Sequence, residues 1–234
     1  MTLTRLFTIV LLISMAVSTA TCATGPPPTK AKLLYVALGA SDATGIGAFP
    51  ITKGYVYLIR NALEKFFSGV SLLNLGVPTE RIGPIKETVR VAVLQLGLKP
   101  NLVTLWTGAN DLIAGDDPQE FQADLRFILH NLRKATSAVI VIANLPDLTK
   151  LPRFRDQPNP VVTLDRVRAF NKAIGQEAMA LNVPVVDLFA QTSSDNLVSD
   201  LDGFHPNNEG HRDIALLFLE EILPKLGVKD LGTP

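Results

Sequence analysis

Three side chains that lie far apart in the sequence are of the types that nucleophilic catalysis requires. Ser41 follows the apolar run 33–38, and Asp202 and His205 lie three residues apart in the segment DGFHP. A serine hydroxyl is a weak nucleophile until a neighbouring base takes its proton. A histidine can be that base when a carboxylate sets its tautomer and stabilises its protonated ring. Because one loop could supply both Asp202 and His205, we predict a Ser41–His205–Asp202 triad.

Such a reaction also needs hydrogen-bond donors for the negative charge that develops on the substrate oxygen. Three donors could come from the backbone N–H groups of Ser41 and Gly76 and from the side-chain amide of Asn110. A glycine at position 76 would let a substrate approach the backbone closely. Taken alone, each residue has an ordinary structural explanation, as a helix cap, a turn glycine or the start of a helix. Their position after successive apolar runs favours the chemical interpretation.

The elements that would bring these residues together alternate along the chain. Continuous apolar runs predict five strands covered on both faces, at 33–38, 71–75, 101–106, 138–144 and 183–189. Amphipathic stretches predict helices at 55–67, 79–96, 118–135, 164–181 and 208–226. This alternation predicts one α/β domain with a central parallel sheet and helices on both faces. Ligands of such sheets bind at the carboxyl ends of the strands, where the candidate residues lie.

The candidate residues, in their order, resemble the four sequence blocks of the SGNH hydrolases, also called the GDSL lipase/esterase family. The blocks correspond to Ser41, Gly76, Asn110 in GAND, and Asp202 with His205 in DGFHP. The resemblance implies a flavodoxin-like three-layer α/β/α sandwich with a five-stranded parallel sheet. It also implies a serine esterase or lipase that hydrolyses carboxylic esters through an acyl-serine intermediate and needs no cofactor.

The first block departs from the family pattern. The family usually has Gly-Asp-Ser, whereas this chain has Gly39-Ala40-Ser41, and an aspartate follows at Asp42. Two alternatives remain open: an acyltransferase of the same fold, which would pass the acyl group to an acceptor other than water, and a non-catalytic, envelope-anchored binding module, since fold alone does not give function. An α/β-hydrolase is disfavoured, because its acid and histidine come from separate loops.

Composition and charge limit the partners. Lys+Arg and Asp+Glu both number 22, and no basic run is present, so the sequence predicts no nucleic-acid partner. The three histidines are His130, His205 and His211, and neither their spacing nor the single cysteine matches a zinc site. We therefore predict no metal. The expected partner is a small-molecule, lipid or otherwise acylated ester, and the sequence leaves the oligomeric state open.

The first residues have the pattern of a secretory signal. Arg5 precedes the apolar core 6–17, and small residues follow it. We predict a signal peptide at 1–23, a Pro-rich spacer at 24–30, the hydrolase domain at 31–228 and a tail at 229–234. The position of Cys22 resembles that of the lipid-modified cysteine of bacterial lipoproteins, which would give a membrane tether, while cleavage after Ala20 or Ala23 fits as well. The predicted location is secreted, periplasmic or at the cell envelope.

Two segments near the serine are candidates for a substrate pocket. Phe49 and Ile51 lie in the segment 43–53, and Phe154 lies in the segment 146–162. These apolar side chains could wall an acyl pocket. They could equally pack down as anchors of surface loops, because loops often carry specificity that the sequence does not reveal.

Overall fold

The computed structural model describes residues 31–191 and 195–228. Within these ranges, five parallel strands form one sheet in the order β2-β1-β3-β4-β5. The strands are β1 (Lys32–Gly39), β2 (Gly69–Asn74), β3 (Leu102–Trp106), β4 (Val139–Ala143) and β5 (Val185–Val186). The predicted signal peptide, the spacer, the tail and Cys22 lie outside the described residues.

Eight α-helices connect and follow the strands within the described part of the chain. They are α1 (Ser41–Thr44), α2 (Tyr55–Leu63), α3 (Ile82–Val89), α4 (Ala109–Ala114), α5 (Pro118–Ala135), α6 (Pro152–Asp156), α7 (Leu164–Ala180) and α8 (Asn208–Lys225). A π-helical segment, Arg90–Gln95, extends α3. None of the helices within the described ranges is long and apolar enough to cross a membrane.

Helices cover both faces of the sheet. One core joins alternate residues of β1, β3 and β4 to α3, α5 and α7. A second core joins the opposite faces of the same strands to α2 and α8. Continuous apolar runs arise because each strand packs against helices on both sides. The predicted three-layer α/β/α sandwich is confirmed.

Two predicted elements differ from the structure in a way that packing explains. The predicted strand 183–189 is a strand only at Val185–Val186, because β5 is an edge strand that pairs with β4 alone. The predicted helix 79–96 begins at Ile82, whose backbone N–H donates to the Asp111 carboxylate at 2.9 Å. Its predicted last apolar residue, Leu96, lies after the π-helical segment and is 78% exposed.

Candidate active site

The carboxyl end of β1 places Ser41 at the edge of the sheet. Gly39 is aligned with Trp106 of β3, and a Cβ at position 39 would lie 2.6 Å from the Trp106 carbonyl oxygen. Its φ of +154° is one that side-chain-bearing residues rarely adopt. A glycine here therefore allows β1 to end close against β3. Ser41 then begins the short helix α1 and is buried.

A line of hydrogen bonds connects Ser41 to His205 and Asp202. The Oγ atom of Ser41 lies 2.8 Å from Nε2 of His205, and Nδ1 of the same ring makes a short hydrogen bond to Oδ2 of Asp202. With Nδ1–H donating to the carboxylate, Nε2 is left with a lone pair that can accept the serine proton. The structure thus brings together the three residues that the sequence predicted as a triad.

The Asp202 carboxylate is held by several donors. Its Oδ1 atom accepts hydrogen bonds from the backbone N–H groups of Phe204, at 2.9 Å, and His205, at 3.0 Å. Partial burial raises the pKa of Asp202. The hydrogen bonds from the His205 ring and from these two N–H groups lower it by more, so the pKa of Asp202 lies below its usual value. Asp202 is therefore ionised at neutral pH and can hold the His205 ring.

Backbone contacts hold the segment that carries His205 against the rest of the site. The N–H of Ser199 donates to the His205 carbonyl at 2.8 Å, and Val198 forms an antiparallel bridge with Pro206. Asn207 caps α8 by accepting from the N–H groups of Glu209 and Gly210. The long loop after β5 thus returns to the carboxyl edge of the sheet and ends in a helix cap.

The three predicted oxyanion donors differ in whether they already donate hydrogen bonds within the protein. The N–H of Ser41 has no acceptor among the described residues. The Asn110 amide donates one hydrogen bond to the Glu80 carbonyl at 3.0 Å and keeps its second hydrogen. The N–H of Gly76 donates to Oδ1 of Asn74 at 3.0 Å, because Asn74 is itself oriented by its bond to the Ala43 carbonyl at 2.7 Å.

Gly76 is also required by its packing against α1. A Cβ at position 76 would lie 2.8 Å from Cβ of Ala43 and 3.1 Å from the carbonyl oxygen of Ala40. Real Cβ atoms do not approach other carbons at 2.8 Å, so a side chain here would push on the turn that carries Ser41. The close approach of substrate is one reason for a glycine at position 76, and the structure adds this steric reason.

Two neighbouring concave regions adjoin the serine. A narrow cleft is lined by Ser41, Thr107 and Asn110 together with Phe204. The cleft shares four lining residues with a larger cavity of about 330 Å³. The remaining walls of the cavity come from the loops after β4 and β5 and from the first turns of α8, and its lining is Asp42, Trp106, Ala109, Pro146, Leu148, Leu151, Leu188, Gln191, Leu197, Val198, Phe204, Pro206, Gly210, Asp213, Ile214 and Leu217.

A sequence model of the GDSL-like Lipase/Acylhydrolase family matches residues 37–212. This range contains Ser41, Gly76, Asn110, Asp202 and His205. The chain belongs to this family. The family resemblance inferred from the four blocks is thereby confirmed, and the protein is a hydrolase that acts on ester bonds. A search of curated protein sequences finds no significant match.

Several solved structures share the fold of this GDSL-like hydrolase. The psychrotrophic esterase EstA from Pseudoalteromonas sp. is 18% identical, with a TM-score of 0.65 over 83% of this chain and 98% of that chain. The lipase/acylhydrolase from Enterococcus faecalis is 20% identical, with a TM-score of 0.66 over 82% of this chain and 96% of that one. The acetyl xylan esterase AlAXEase is 18% identical, with a TM-score of 0.64 over 81% of this chain and 100% of that one. At such identities these likenesses show the shared fold alone.

The predicted pocket residues of the hydrolase do not line the cavity. Phe49 is 86% exposed and Ile51 is 49% exposed, because Asn208 pairs with both backbone groups of Phe49 and holds this loop at the surface. Phe154 is buried, but it packs edge-on against Phe204 at a ring distance of 5.7 Å rather than reaching the cavity. Phe154 therefore supports one wall of the cavity through Phe204.

Asp42 is a residue of the site to which the sequence pattern assigns no role. In the sequence it is simply the aspartate that follows Ser41, but in the structure Asp42 lines both the cleft and the cavity. Burial raises the pKa of Asp42 to about 6, and Asp202 raises it slightly, while the nearby His205 lowers it. The signal in the sequence is a carboxyl group directly after Ser41, in a segment of otherwise small and apolar residues.

The other histidines have structural surroundings. His211 is buried; its Nδ1 accepts from the Tyr55 N–H at 3.2 Å and its Nε2–H donates to the Ile46 carbonyl at 3.0 Å. Desolvation lowers the pKa of His211, so the ring stays neutral in this position. His130 lies exposed on α5. Among the described residues, no group of three His, Cys, Asp or Glu side chains is placed to hold a metal ion.

Proposed function

We propose that this GDSL-like hydrolase cleaves carboxylic esters through an acyl-Ser41 intermediate. The hydrogen-bonded line from Ser41 through His205 to Asp202 carries the proposal. As Oγ of Ser41 attacks the ester carbonyl, Nε2 of His205 takes the hydroxyl proton and then gives it to the departing alcohol. Water deprotonated by the same nitrogen hydrolyses the acyl-enzyme. Asp202 stays ionised throughout and stabilises the protonated ring.

The N–H of Ser41 and the free amide hydrogen of Asn110 are the donors we propose for the developing oxyanion. Both residues line the narrow cleft, and neither donor adds charge to the site. Gly76 would join them only if its N–H turned from Asn74 toward the substrate. Preorganised donors of this kind each contribute about 2 to 4 kcal/mol to transition-state stabilisation in serine hydrolases.

The test is hydrolysis of p-nitrophenyl esters from acetate to palmitate, combined with a fluorophosphonate probe. We expect turnover and labelling by the wild type, loss of both in Ser41→Ala, and no change in the matched control Ser68→Ala, an exposed serine. The structurally similar Pseudoalteromonas esterase was solved inhibited by monoethylphosphonate, which supports this choice of probe. The optimal chain length then measures the acyl pocket.

The same experiment separates the alternatives. Labelling of Ser41 without release of acid, but with transfer of the acyl group to an added alcohol, would identify an acyltransferase. Absence of both labelling and turnover in folded protein would contradict the proposal and favour the envelope-anchored binding module. Equal turnover by Ser41→Ala would remove Ser41 from the mechanism.

We also propose that the protein is exported, on the pattern of its first residues. Mass spectrometry of the mature chain from a bacterial host reports the processing site directly. A start at Thr21 or Thr24 would indicate an ordinary signal peptide, and a diacylglyceryl mass on an N-terminal Cys22 would indicate a membrane tether. An unprocessed chain in the cytoplasm would contradict the proposal.

A further inference from the structure

The cavity beside Ser41 combines an apolar lining with charges of one sign. Most of its lining residues are aliphatic or aromatic, and it opens next to the narrow cleft of the serine. Among the described lining residues, only Asp42 and Asp213 carry a formal charge, and both are acidic. An apolar acyl chain needs neither carboxylate, so the lining suits a ligand that is both apolar and positively charged.

Asp42 is the more informative of the two acids. It is half-buried, and none of the described residues donates a side-chain hydrogen bond or ion pair to its carboxylate. Its own backbone N–H donates a hydrogen bond to the carboxylate, His205 and Asp202 of the neighbouring loop act on it electrostatically, and its own charge acts on Tyr55 of α2. Removing a carboxylate from water without a cationic partner in contact costs free energy. A cationic ligand would supply that ion-pair partner.

Asp213 and two aromatic residues complete this side of the cavity. The Asp213 side chain is 44% exposed, and its nearest cation, Arg212, approaches only to 3.4 Å. Trp106 and Phe204 also line the cavity. Aromatic rings attract ammonium groups through their quadrupole, and carboxylates reinforce that attraction. Acidic and aromatic side chains around one apolar space are the elements of an ammonium-binding site.

We propose that this cavity binds an alkylammonium part of the substrate, with Asp42 as its anionic contact. The inference names a substrate class for the hydrolysis proposed above and rests on that function for its catalytic meaning. Binding itself requires no turnover, so it can be measured in a Ser41→Ala background. The two proposals can therefore fail separately.

The fluorescence of Trp106 can report on ligand binding in the cavity, because Trp106 is the single tryptophan of the chain. Its fluorescence is titrated with hexyltrimethylammonium, hexanol and hexanesulfonate, which share an alkyl chain and differ in charge. At about pH 8, well above the pKa of Asp42 of about 6, we expect the cation to bind at least about tenfold more tightly than the alcohol, which corresponds to about 1.4 kcal/mol. The sulfonate should bind most weakly.

Variants test whether the Asp42 carboxylate causes the preference for the cation over the alcohol. Asp42→Asn should reduce the preference for the cation to within about twofold, Asp42→Glu should restore part of it, and Asp213→Asn should have a smaller effect because its site is exposed. The matched control is Asp165→Asn, whose side chain is 96% exposed and lies on α7 away from the cavity. Equal binding of cation and alcohol by the wild type, or an unchanged preference in Asp42→Asn, would overturn the proposal.

Ester hydrolysis kinetics then test whether binding in the cavity determines which substrate the enzyme prefers. The substrates are p-nitrophenyl esters of one acid ending in trimethylammonium and of its neutral counterpart ending in tert-butyl. We expect the ratio of their kcat/KM values to fall about tenfold in Asp42→Asn. A variant that slows both esters equally would show that Asp42 supports His205 rather than the ligand, which contradicts the proposal. Failure of hydrolysis with a retained preference for the cation in binding would overturn only the ester hydrolysis.

Discussion

In the proposed mechanism, the protonation state of the His205 imidazole decides whether Ser41 can act as a nucleophile. Asp202 accepts three hydrogen bonds, from the His205 ring and from two backbone N–H groups, and so selects the tautomer with a free Nε2 lone pair. An asparagine at 202 can still accept from both backbone groups through its Oδ1. Its amide hydrogens would instead face Nδ1 and favour the proton on Nε2, where it blocks the uptake of the serine proton.

Asp202→Asn should therefore lower kcat for ester hydrolysis by about three to four orders of magnitude while leaving the fold intact. Steady-state kinetics with p-nitrophenyl esters and far-UV circular dichroism measure the two effects. The loss should be partly relieved at high pH, where hydroxide competes with the lost base. Unchanged kcat would remove Asp202 from the proposed triad.

Asp42 lowers the free energy of unfolding by an amount that depends on pH. Its folded pKa is about 6, whereas an unfolded aspartate titrates near about 3.9. A carboxyl whose pKa is raised by folding favours the folded state while it is protonated, and this contribution is lost as the pH rises from about 4 through about 6. At neutral pH the ionised side chain thus opposes folding.

Asp42→Asn should accordingly raise the free energy of unfolding above about pH 6, by up to about 3 kcal/mol. The gain should disappear below about pH 4, where both side chains are neutral. Urea denaturation of both chains across this pH range measures it, with Asp165→Asn as the exposed control. A constant difference at all pH values would show that packing, and not ionisation, is responsible. A stabilising substitution that also removes ligand selectivity is typical of functional residues.

The turn after β1 and the end of β2 must fit together before the serine can be placed. Gly76 sits where a Cβ would lie 2.8 Å from Ala43, within the helix that Ser41 begins. Gly76→Ala should shift α1, lower kcat/KM by about ten- to a hundredfold and cost about 1 to 3 kcal/mol of stability. The matched control is Gly69→Ala, at the start of β2, where a Cβ meets nothing within 4 Å. Equal activity of the two variants would contradict this account.

The sheet was predictable because its strands are covered on both faces. Buried strands leave continuous apolar runs in the sequence, and four of the five predicted strands lie within two residues of the observed bounds at each end. The exception is β5 at the edge, where the apolar run continues beyond the hydrogen-bonded pair of residues. A local sequence pattern indicates that a segment forms a strand, whereas the end of an edge strand depends on how far its hydrogen bonds to the neighbouring strand extend.

The cavity could not be predicted in the same way. Ser41, His205 and Asp202 could be grouped because their chemistry is specific, and the structure places them in contact. The cavity lining comes from several separate segments of ordinary aliphatic residues, and no local pattern connects them. Phe49 looked like a pocket residue by its type alone, but backbone bonds to Asn208 hold it outside.

The two hydrophobic cores determine how much of the chain the fold needs. Their buried residues run from Leu33 to Leu223, and β1 contributes to both cores and pairs with β2 and β3. A domain that begins at residue 31 therefore contains every packing residue of the described sandwich. The predicted signal peptide and spacer precede this boundary.

A chain of residues 31–234 should therefore match one of residues 24–234 in thermal midpoint, and in kcat/KM to within about twofold. Both are compared by calorimetry and by p-nitrophenyl ester hydrolysis. A chain that begins at residue 37 is the counterpart, because it removes residues 32–36 of the eight-residue strand β1, on which both cores and two neighbouring strands depend, and we expect it not to fold. A marked loss of stability in the 31–234 chain would place part of the domain before residue 31. A stable and active 37–234 chain would show that residues 32–36 of β1 are dispensable for the sheet.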